Sequence, residues 1–468
     1  MTAAPVPCFP KTMTRPSPPY LDQLTEFACT ATLQDVEPRA LAHLRHIVAD
    51  TLAAFAAGNQ EPEMRALLER QQGLVAGGNA SVVGSGARFN PVDAAALNAA
   101  AGCWLELDEG NLASNGHPGI QVIPTALAVA QELGRSGQDF LLACAVGYEI
   151  CARIGSACDM RMCIHPHGTY GVVGAAVAAG RLHGLSRQMM RELINLAGSS
   201  PIAGNRQSMK DGATLRNWYA SHSAIMGQMS VRLVQSGFTG PHDGIAPTCD
   251  EVLFDNFKPE VAVHELGRRW LLADGYIKLY GCGRPIHAAI DALRMALAKA
   301  GDATRWPTAE QIERIEIRGF EFMVFLDRRD IRNAFATRFS TPFALASVIV
   351  NRSHGLECFN DAAATNETIR ALVQKVEMVE VDEYSARFPA RQLCDVAVVL
   401  KDGRRLDGHC EVIRGEPSNP ADPREYREKF FDVARRAWSA PRIAAIHDEV
   451  LHLERLADMR ELGGGEPL

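Results

Sequence analysis

The stretch ELDEGNLASNGHPGIQVIPTALAVAQ, residues 106–131, crowds polar side chains between two apolar segments. Its polar residues include Asp108, Glu109, Asn111, Ser114, Asn115 and His117. The preceding run PVDAAALNAAAGCWLEL, residues 91–107, is rich in Ala and Leu. Pro124 opens a further Ala/Leu/Val run at a position suited to a first helical turn. The sequence therefore predicts a polar loop between two buried helices.

The side chains of this loop suit catalysis. Carboxylate, amide, hydroxyl and imidazole groups on one loop can orient a polyanionic or hydroxylated substrate and transfer protons. The alternative is a helix cap, with Asp108, Asn111 or Ser114 closing the second helix and His117 packed beside Pro118. A cap needs one polar residue, and this loop carries six, so we favour a site.

Composition limits the class of protein. A chain of 468 residues with 47% hydrophobic residues can bury a large core and suggests two or three domains. A net charge of −7 argues against nucleic acid as a partner. No apolar run approaches the roughly 18 residues of a membrane span, so we expect a soluble, cytoplasmic protein without a membrane partner. The first residues are rich in proline and lack an apolar signal core, so residues 1–19 are predicted to be a disordered leader.

The 12 cysteines include no CxxC pair, which argues against a disulfide framework and an iron-sulfur cluster and indicates a reducing compartment. Cys144, Cys151 and Cys158 are spaced seven apart, as expected for small core residues on one helix face. Cys163 and Cys282 lie beside other candidate site residues and are harder to assign to the core. No zinc signature occurs, and no metal site is predicted.

Hydrophobic periodicity predicts a mainly α fold with an inserted α+β domain. Residues 20–270 are expected to form a large helical domain and residues 271–415 a smaller lid domain. In the lid, IERIEIRGF from Ile312 and VEMVEVDE from Val376 alternate as strands, and CDVAVVLKDGRRLDGHCEVI predicts a hairpin. We expect an antiparallel sheet with helices on one face, and residues 416–468 forming helices that pack back on the first domain.

Two further polar groups lie in otherwise apolar surroundings. His165 and His167 precede a helix with glycines at 168, 171 and 174. These glycines favour close helix packing over a phosphate loop, whereas the histidines can contact an anion. The segment GNRQSMKDGATLRNWYASHSA carries Arg206, Lys210 and Arg216, which suit a multiply carboxylated ligand; the alternative is a solvated helix face.

Two more cationic residues, Lys278 and Arg338, are candidate site residues. Lys278 lies between Tyr276 and Tyr280, and a lysine in apolar company is costly to bury unless an anion pairs with it. In FATRFSTPFALAS, Arg338 and Ser340 lie at a predicted helix start, where capping is the usual role of the hydroxyl.

Taken together, these motifs resemble the MmgE/PrpD family, which includes 2-methylcitrate dehydratase, cis-aconitate decarboxylase and iminodisuccinate epimerase. The acidic loop ending in HPG, the HPHGTYGVVGAAVAA helix, the K-x-Y-G-C segment followed by HAAIDA, and the TRFSTPFALA helix occur in the family's order across nearly the whole chain. The resemblance implies a homodimer, an active site between a helical domain and a lid, and no metal, iron-sulfur cluster or other cofactor.

The resemblance also implies roles for single residues. Asp108 and Asn111 match the family's acidic loop, as does His117, while His165 matches the histidine before the Gly-rich helix and Lys278 the lysine that opens the lid. We take Asp108, His117, His165 and Lys278 as the candidate catalytic residues. The candidate substrate-binding residues are Asn111, His167, Lys210, Arg216, Cys282 and Arg338.

The chain departs from the decarboxylases at three positions. Arg216 stands where they carry a lysine, although Lys210 is close enough to substitute. Gly283, beside Cys282, stands where they have a further histidine, and Phe325 stands where they have a tyrosine. These differences argue against cis-aconitate decarboxylation and leave the substrate open.

The residues present suit removal of a proton next to a carboxylate. Such a proton is weakly acidic, so its removal needs a positioned base and a cation beside the developing enediolate. Lys278 and Arg216 can supply the cation, and His117 or His165 the base. The leading hypothesis is a lyase that dehydrates a 2-methylcitrate-like hydroxy polycarboxylate. The alternatives are an epimerase of an amino or hydroxy dicarboxylate and a non-catalytic dimer that binds polycarboxylates.

Overall fold

The computed structural model describes residues 17–74 and 77–468, so most of the predicted leader lies outside the described residues. The helices are α1 (Pro19–Thr30), α2 (Pro38–Gly58), α3 (Pro62–Gln72), α4 (Pro91–Trp104), α5 (Pro118–Leu133), α6 (Gly137–Ser156), α7 (Gly171–Leu182), α8 (Arg187–Gly198), α9 (Gln207–Asp211), α10 (Tyr219–Gln235), α11 (Pro259–Val263), α12 (Arg284–Ala298), α13 (Glu321–Val324), α14 (Ala334–Thr337), α15 (Thr341–Asn351), α16 (Asp361–Thr365), α17 (Glu367–Val373), α18 (Asp382–Arg387), α19 (Pro423–Ala434) and α20 (Ala440–Leu451). The strands are β1 (Ala80–Val82), β2 (Ala87–Phe89), β3 (Gly110–Asn111), β4 (Gly275–Tyr276), β5 (Ile312–Gly319), β6 (Val376–Glu380), β7 (Cys394–Leu400) and β8 (Arg405–Cys410).

Buried apolar side chains form two clusters. The first draws on residues 20–277 and 430–468, and the second on Met209 and residues 280–413. Ile277 belongs to the first cluster and Tyr280 to the second, so the chain passes from one core to the other at Lys278. This lysine is itself buried, with 1% of its surface exposed. Its charge therefore lies at the boundary between the two cores.

The prediction that Pro124 starts a helix is wrong. Helix α5 begins at Pro118, and Pro124 lies inside it. Pro118 takes the first helical position, where the missing N–H costs nothing. The carboxylate of Glu109 accepts hydrogen bonds from the N–H groups of Gly119 (2.7 Å) and Ile120 (3.4 Å), which caps the helix six residues earlier than expected.

The larger sheet is mixed, which corrects the expected antiparallel one. Its order is β6-β5-β7-β8, with β5 antiparallel to β7 and parallel to β6. The connection from β5 to β6 spans helices α13 to α17, which is long enough for a parallel crossover. The predicted strands themselves are confirmed, as is the hairpin between β7 and β8, where Gly403 takes a φ of 88°. A mainly helical protein with a smaller sheet portion is therefore confirmed.

A two-residue pairing that the sequence did not predict joins distant segments. Gly110 pairs with Tyr276 and Asn111 with Gly275, so β3 and β4 form an antiparallel ladder. This ladder brings the 106–117 loop beside the segment that carries Lys278.

In the part of the chain that the structure describes, no helix is both long enough and apolar enough to span a membrane.

Glycines and cysteines allow the helices of the first core to approach closely. A Cβ added to Gly174 in α7 would lie 2.7 Å from Cys151 Cβ and 2.7 Å from the carbonyl oxygen of Gly147, both in α6. Cys144, Cys151 and Cys158 are all buried. Their assignment to the core is confirmed, as is close packing of the Gly-rich helix.

We expect Gly58→Ala to destabilise the fold by about 3 kcal/mol, at the upper end of the usual cost of overpacking. An added Cβ would lie 1.9 Å from the carbonyl oxygen of Ala101, so α2 would push α4 away, and α4 leads directly into the polar loop. Urea unfolding measures the effect. Gly77→Ala is the matched control, because nothing lies within 4 Å of a Cβ at that position. Equal stabilities of the two variants would contradict the packing argument.

Candidate active site

A cavity of about 510 Å³ lies where residues of the two cores meet. Its walls come from the 106–117 loop, from residues 158–166, from the 206–216 segment and from the start of α12, with Phe322 and Phe339 from the second core. The titratable and cationic residues in its lining include Glu106, His117, His165, Arg206, Arg216, Tyr276, Lys278 and Arg284. The predicted catalytic residues His117, His165 and Lys278 thus line one cavity.

Two buried carboxylates, Glu106 and Asp108, hold two of the cations of the cavity. Lys278 Nζ lies 3.2 Å from Glu106 Oε2 and 3.2 Å from Asp108 Oδ1, and donates to both. The guanidinium of Arg216 forms an ion pair with Glu106. Glu106 takes a left-handed backbone conformation, with a φ of 53°, directly after α4 ends. All four charged side chains are at most 2% exposed.

The ion pairs fix the charges of this group. Burial alone would lower the pKa of Lys278, but Asp108 and Glu106 outweigh that effect and raise it. Burial alone would raise the pKa of Asp108, but Lys278, His117 and other donors hold it well below its usual range. Lys278 is therefore a fixed cation at neutral pH. It suits stabilisation of negative charge and does not suit proton abstraction.

His117 has the geometry of a neutral base. Its Nδ1–H donates to the carbonyl of Glu109 at 2.5 Å and lies 3.2 Å from Asp108 Oδ2. Because a carbonyl cannot donate, Nδ1 carries the proton and Nε2 keeps a lone pair, with no hydrogen-bond partner among the described residues. Burial lowers the pKa of His117 to about 4, although Asp108 opposes the shift. Its side chain keeps 14% exposure at the cavity wall.

His165 and His167 are placed differently. His167 is fully buried behind Asp108, with Nε2 at 3.3 Å from Oδ2 and Nδ1 at 3.6 Å from Cys103 Sγ. Both nitrogens of His165 face donors, namely the Nε–H of Arg216 at 3.2 Å and the backbone N–H of His167 at 3.2 Å. Burial and these neighbours hold the pKa of His165 well below its usual range. Neither ring is as free to take a proton as His117.

The other predicted binding residues have partners of their own. The amide of Asn111 donates to the carbonyl of Leu271 at 2.7 Å, which fixes the loop, although the residue also lines the cavity. Arg338 donates to the carbonyls of Leu105 and Gly281 and so ties the two cores together. Lys210 lies 3.8 Å over the ring of Phe325, and Cys282 is completely buried near Lys278. Binding roles for Asn111, Lys210, Cys282 and Arg338 stay predictions.

One group of donors has the spacing of a metal site. Ligand atoms of Cys103, Asp108 and His167 lie within 4.8 Å of one another in the described part of the chain. Lys278 and Arg216 already place positive charge beside Asp108, and burial raises the pKa of the Cys103 thiol. Both effects oppose a divalent cation, so this donor set fits a metal poorly.

The sequence did not single out several residues that the structure places at the site. Glu106 is the common partner of Lys278 and Arg216, and no periodic pattern marks it, because its left-handed backbone is neither helical nor extended. Arg206 was noted only as part of a cationic run. Tyr276 and Arg284 lie around Lys278 in sequence, but nothing in the pattern distinguishes them from core residues.

The buried imidazoles predict a pH-dependent stability. The pKa of His117 is about 4 in the fold and near 6.5 when exposed, so the unfolded chain binds a proton that the fold excludes. Its contribution is therefore complete above pH 6.5 and is lost as the pH falls towards 4. Relative to the wild type, His117→Gln should lose about 2 kcal/mol less free energy of unfolding between about pH 7.5 and about pH 5.

Urea unfolding at both pH values measures this difference. The control is His264→Gln, because the His264 side chain is 75% exposed and its surroundings change little on unfolding. The same pH dependence in the wild type and in His117→Gln would show that the ring is not held neutral by the fold.

Comparison with known proteins covers nearly the whole chain. The MmgE/PrpD N-terminal domain matches residues 22–260, and the MmgE/PrpD C-terminal domain matches residues 280–454. The cis-aconitate decarboxylase-like protein oryM of Aspergillus oryzae is 25% identical over 92% of this chain and 93% of its own length. Cis-aconitate decarboxylase of Aspergillus terreus is 22% identical over 94% of each chain. Cis-aconitate decarboxylase of Homo sapiens is 25% identical over 79% of this chain and 78% of its own.

Proposed function

Because the chain belongs to the MmgE/PrpD family, we propose that it is a cofactor-independent lyase that dehydrates a hydroxy polycarboxylate, in the manner of 2-methylcitrate dehydratase. The family assignment made from the motifs is confirmed, and a lyase acting on polycarboxylates is supported at the level of the family. The observation that carries the finer proposal is the neutral imidazole of His117 in a cavity that also holds Lys278 and Arg216.

In this proposal, His117 is the base. Its Nδ1–H is held by the Glu109 carbonyl, so Nε2 is the atom that takes the proton from the carbon next to a substrate carboxylate. A pKa of about 4 keeps the ring unprotonated at neutral pH. A bound polycarboxylate brings negative charge beside the ring, which raises its proton affinity when it acts.

Lys278 and Arg216 stabilise the charge that develops. As the C–H bond breaks, its electron pair moves into the carboxylate to give an enediolate, and two fixed cations in a buried setting lower the energy of that dianion. The same pair then forms the carbon–carbon double bond and expels the β-hydroxyl. The imidazolium of His117 gives its proton to the departing oxygen, so water and an unsaturated acid leave and the ring is neutral again.

Decarboxylation is the second candidate, because the curated relatives are named for it. In that reaction a carboxylate would leave as carbon dioxide, the electron pair of the broken carbon–carbon bond would be held as an enediolate on a remaining carboxylate, and a proton would then add to carbon. Two positions where the decarboxylases differ bear on this choice. Gly283 lines the cavity but has no side chain that could donate a proton. Phe325 has no hydroxyl group, and its ring is in contact with Lys210. We therefore rank dehydration above decarboxylation. The homodimer that the family resemblance implies also stays part of the proposal.

Proton NMR in deuterated water tests the reaction. The purified protein is offered 2-methylcitrate, citrate, cis-aconitate and iminodisuccinate separately. We expect a new vinyl or allylic signal from a hydroxy acid as water is lost. Loss of carbon dioxide from cis-aconitate would establish the decarboxylase instead. Deuterium exchange or epimerisation without elimination would make it an isomerase, and binding without change in any of the four would favour a polycarboxylate-binding protein.

His117→Gln should lower kcat/KM about 10²- to 10⁴-fold, the usual contribution of a positioned base. The matched control is His222→Gln, because the Nε2 of His222 bonds to the carbonyl of Ser200 and its side chain does not line the cavity. Activity is followed by the NMR signal of the product found with the wild type. Equal losses in the two variants would remove His117 from the role of base.

A further inference from the structure

Arg206 is the cation of the cavity that has no carboxylate partner among the described residues. Arg216 and Lys278 are paired with Glu106 and Asp108, and Arg284 donates to Glu416 at 2.5 Å. At the rim, Asp159 and Asp255 also line the cavity, but each has its own cation, Lys258 at 2.7 Å and Arg161 at 2.8 Å respectively. The positive charge of Arg206 therefore has no carboxylate counter-ion among the described residues.

The surroundings of Arg206 make an anion favourable. Its Nη1 lies 2.9 Å from the sulfur of Met162 and its Nη2 3.7 Å from that of Met160, both weak acceptors. Its guanidinium carbon lies 5.1 Å from the centre of the Phe322 ring. A half-buried guanidinium bonded to thioethers has lost water without gaining a strong acceptor.

The backbone holds Arg206 at the cavity wall. Its N–H donates to the carbonyl of Cys163 at 2.9 Å, and the adjacent Asn205 pairs with Ile164. These bonds tie the arginine to the segment that carries His165. Arg206 also helps to lower the pKa of His165, so the two side chains are close enough to interact electrostatically. Its contacts with Met160, Met162 and Phe322 are separate from the ion pairs around Lys278.

We propose that Arg206 binds a carboxylate of the substrate remote from the reacting carbon and so selects polycarboxylates over monocarboxylates. A planar guanidinium can bind both oxygens of a carboxylate at once, and the apolar wall of methionine and phenylalanine strengthens that bond. This inference rests on the proposed function for the identity of the reacting carbon. The carboxylate subsite at Arg206 can be tested by ligand binding alone.

The test uses the full chain and propane-1,2,3-tricarboxylate, which has no hydroxyl group and cannot lose water. Isothermal titration calorimetry should show that Arg206→Gln weakens binding roughly 10- to 100-fold, as expected for a lost charge-assisted hydrogen bond. Arg206→Lys should restore part of the affinity. Arg187→Gln is the matched control and should bind as the wild type does, because its guanidinium is paired with Glu26 and neither residue lines the cavity.

A second ligand separates charge recognition from a general loss of structure. Butyrate has one carboxylate, so its affinity should be the same in Arg206→Gln and in the wild type. No binding of the tricarboxylate by the wild type, or equal affinity in Arg206→Gln, would overturn the inference. Binding that depends on Arg206 in a protein that turns over none of the four acids would support the subsite and reject the lyase.

Discussion

The ion pairs of Lys278 with Glu106 and Asp108 are the interaction on which the rest of the structure depends. The lysine lies where the chain passes between the two apolar cores, and both carboxylates come from one loop of the first core. A buried charge without its partner costs about 3–5 kcal/mol, so neither the loop nor the lysine can shift alone. The β3–β4 ladder and the bonds of Arg338 to Leu105 and Gly281 hold the same junction. The cavity thus lies where the two cores meet around these buried charges.

Much of the fold could be predicted because its signals are local. Period-two alternation predicted β5 and β6, the hairpin signal predicted β7 and β8, and the segment around Arg338 and Ser340 marked the start of α15. The errors came from choices that sequence leaves open. Pro118 and Pro124 are both able to start a helix, and the side chain of Glu109 supports the earlier start by accepting from the first N–H groups of the helix. The direction of β6 depends on how five helices cross between strands, which no local pattern records.

The candidate site was also predictable in part from the sequence and in part only from the structure. His117, His165 and Lys278 were identified from motifs, and the structure places them in one cavity. Which histidine is free to act could not be predicted, because it depends on what the second ring nitrogen meets. His117 meets a carbonyl, whereas both nitrogens of His165 meet donors. Arg206 was similarly hidden in a cationic run, since only the tertiary structure shows which cations already have a carboxylate.

The short β3–β4 ladder also constrains how the protein is made. Lys278 and Glu106 lie 172 residues apart in sequence, and the chain between them includes most of the first core. Closing so long a loop is slow, and during synthesis the lysine emerges well after the carboxylates. Until it arrives, Glu106 has only Arg216 as its cation and Asp108 lacks its lysine, which favours protonation or exposure of Asp108. Completion of the ion pairs is therefore a late step, and an intact cavity marks a chain in which both cores have already joined.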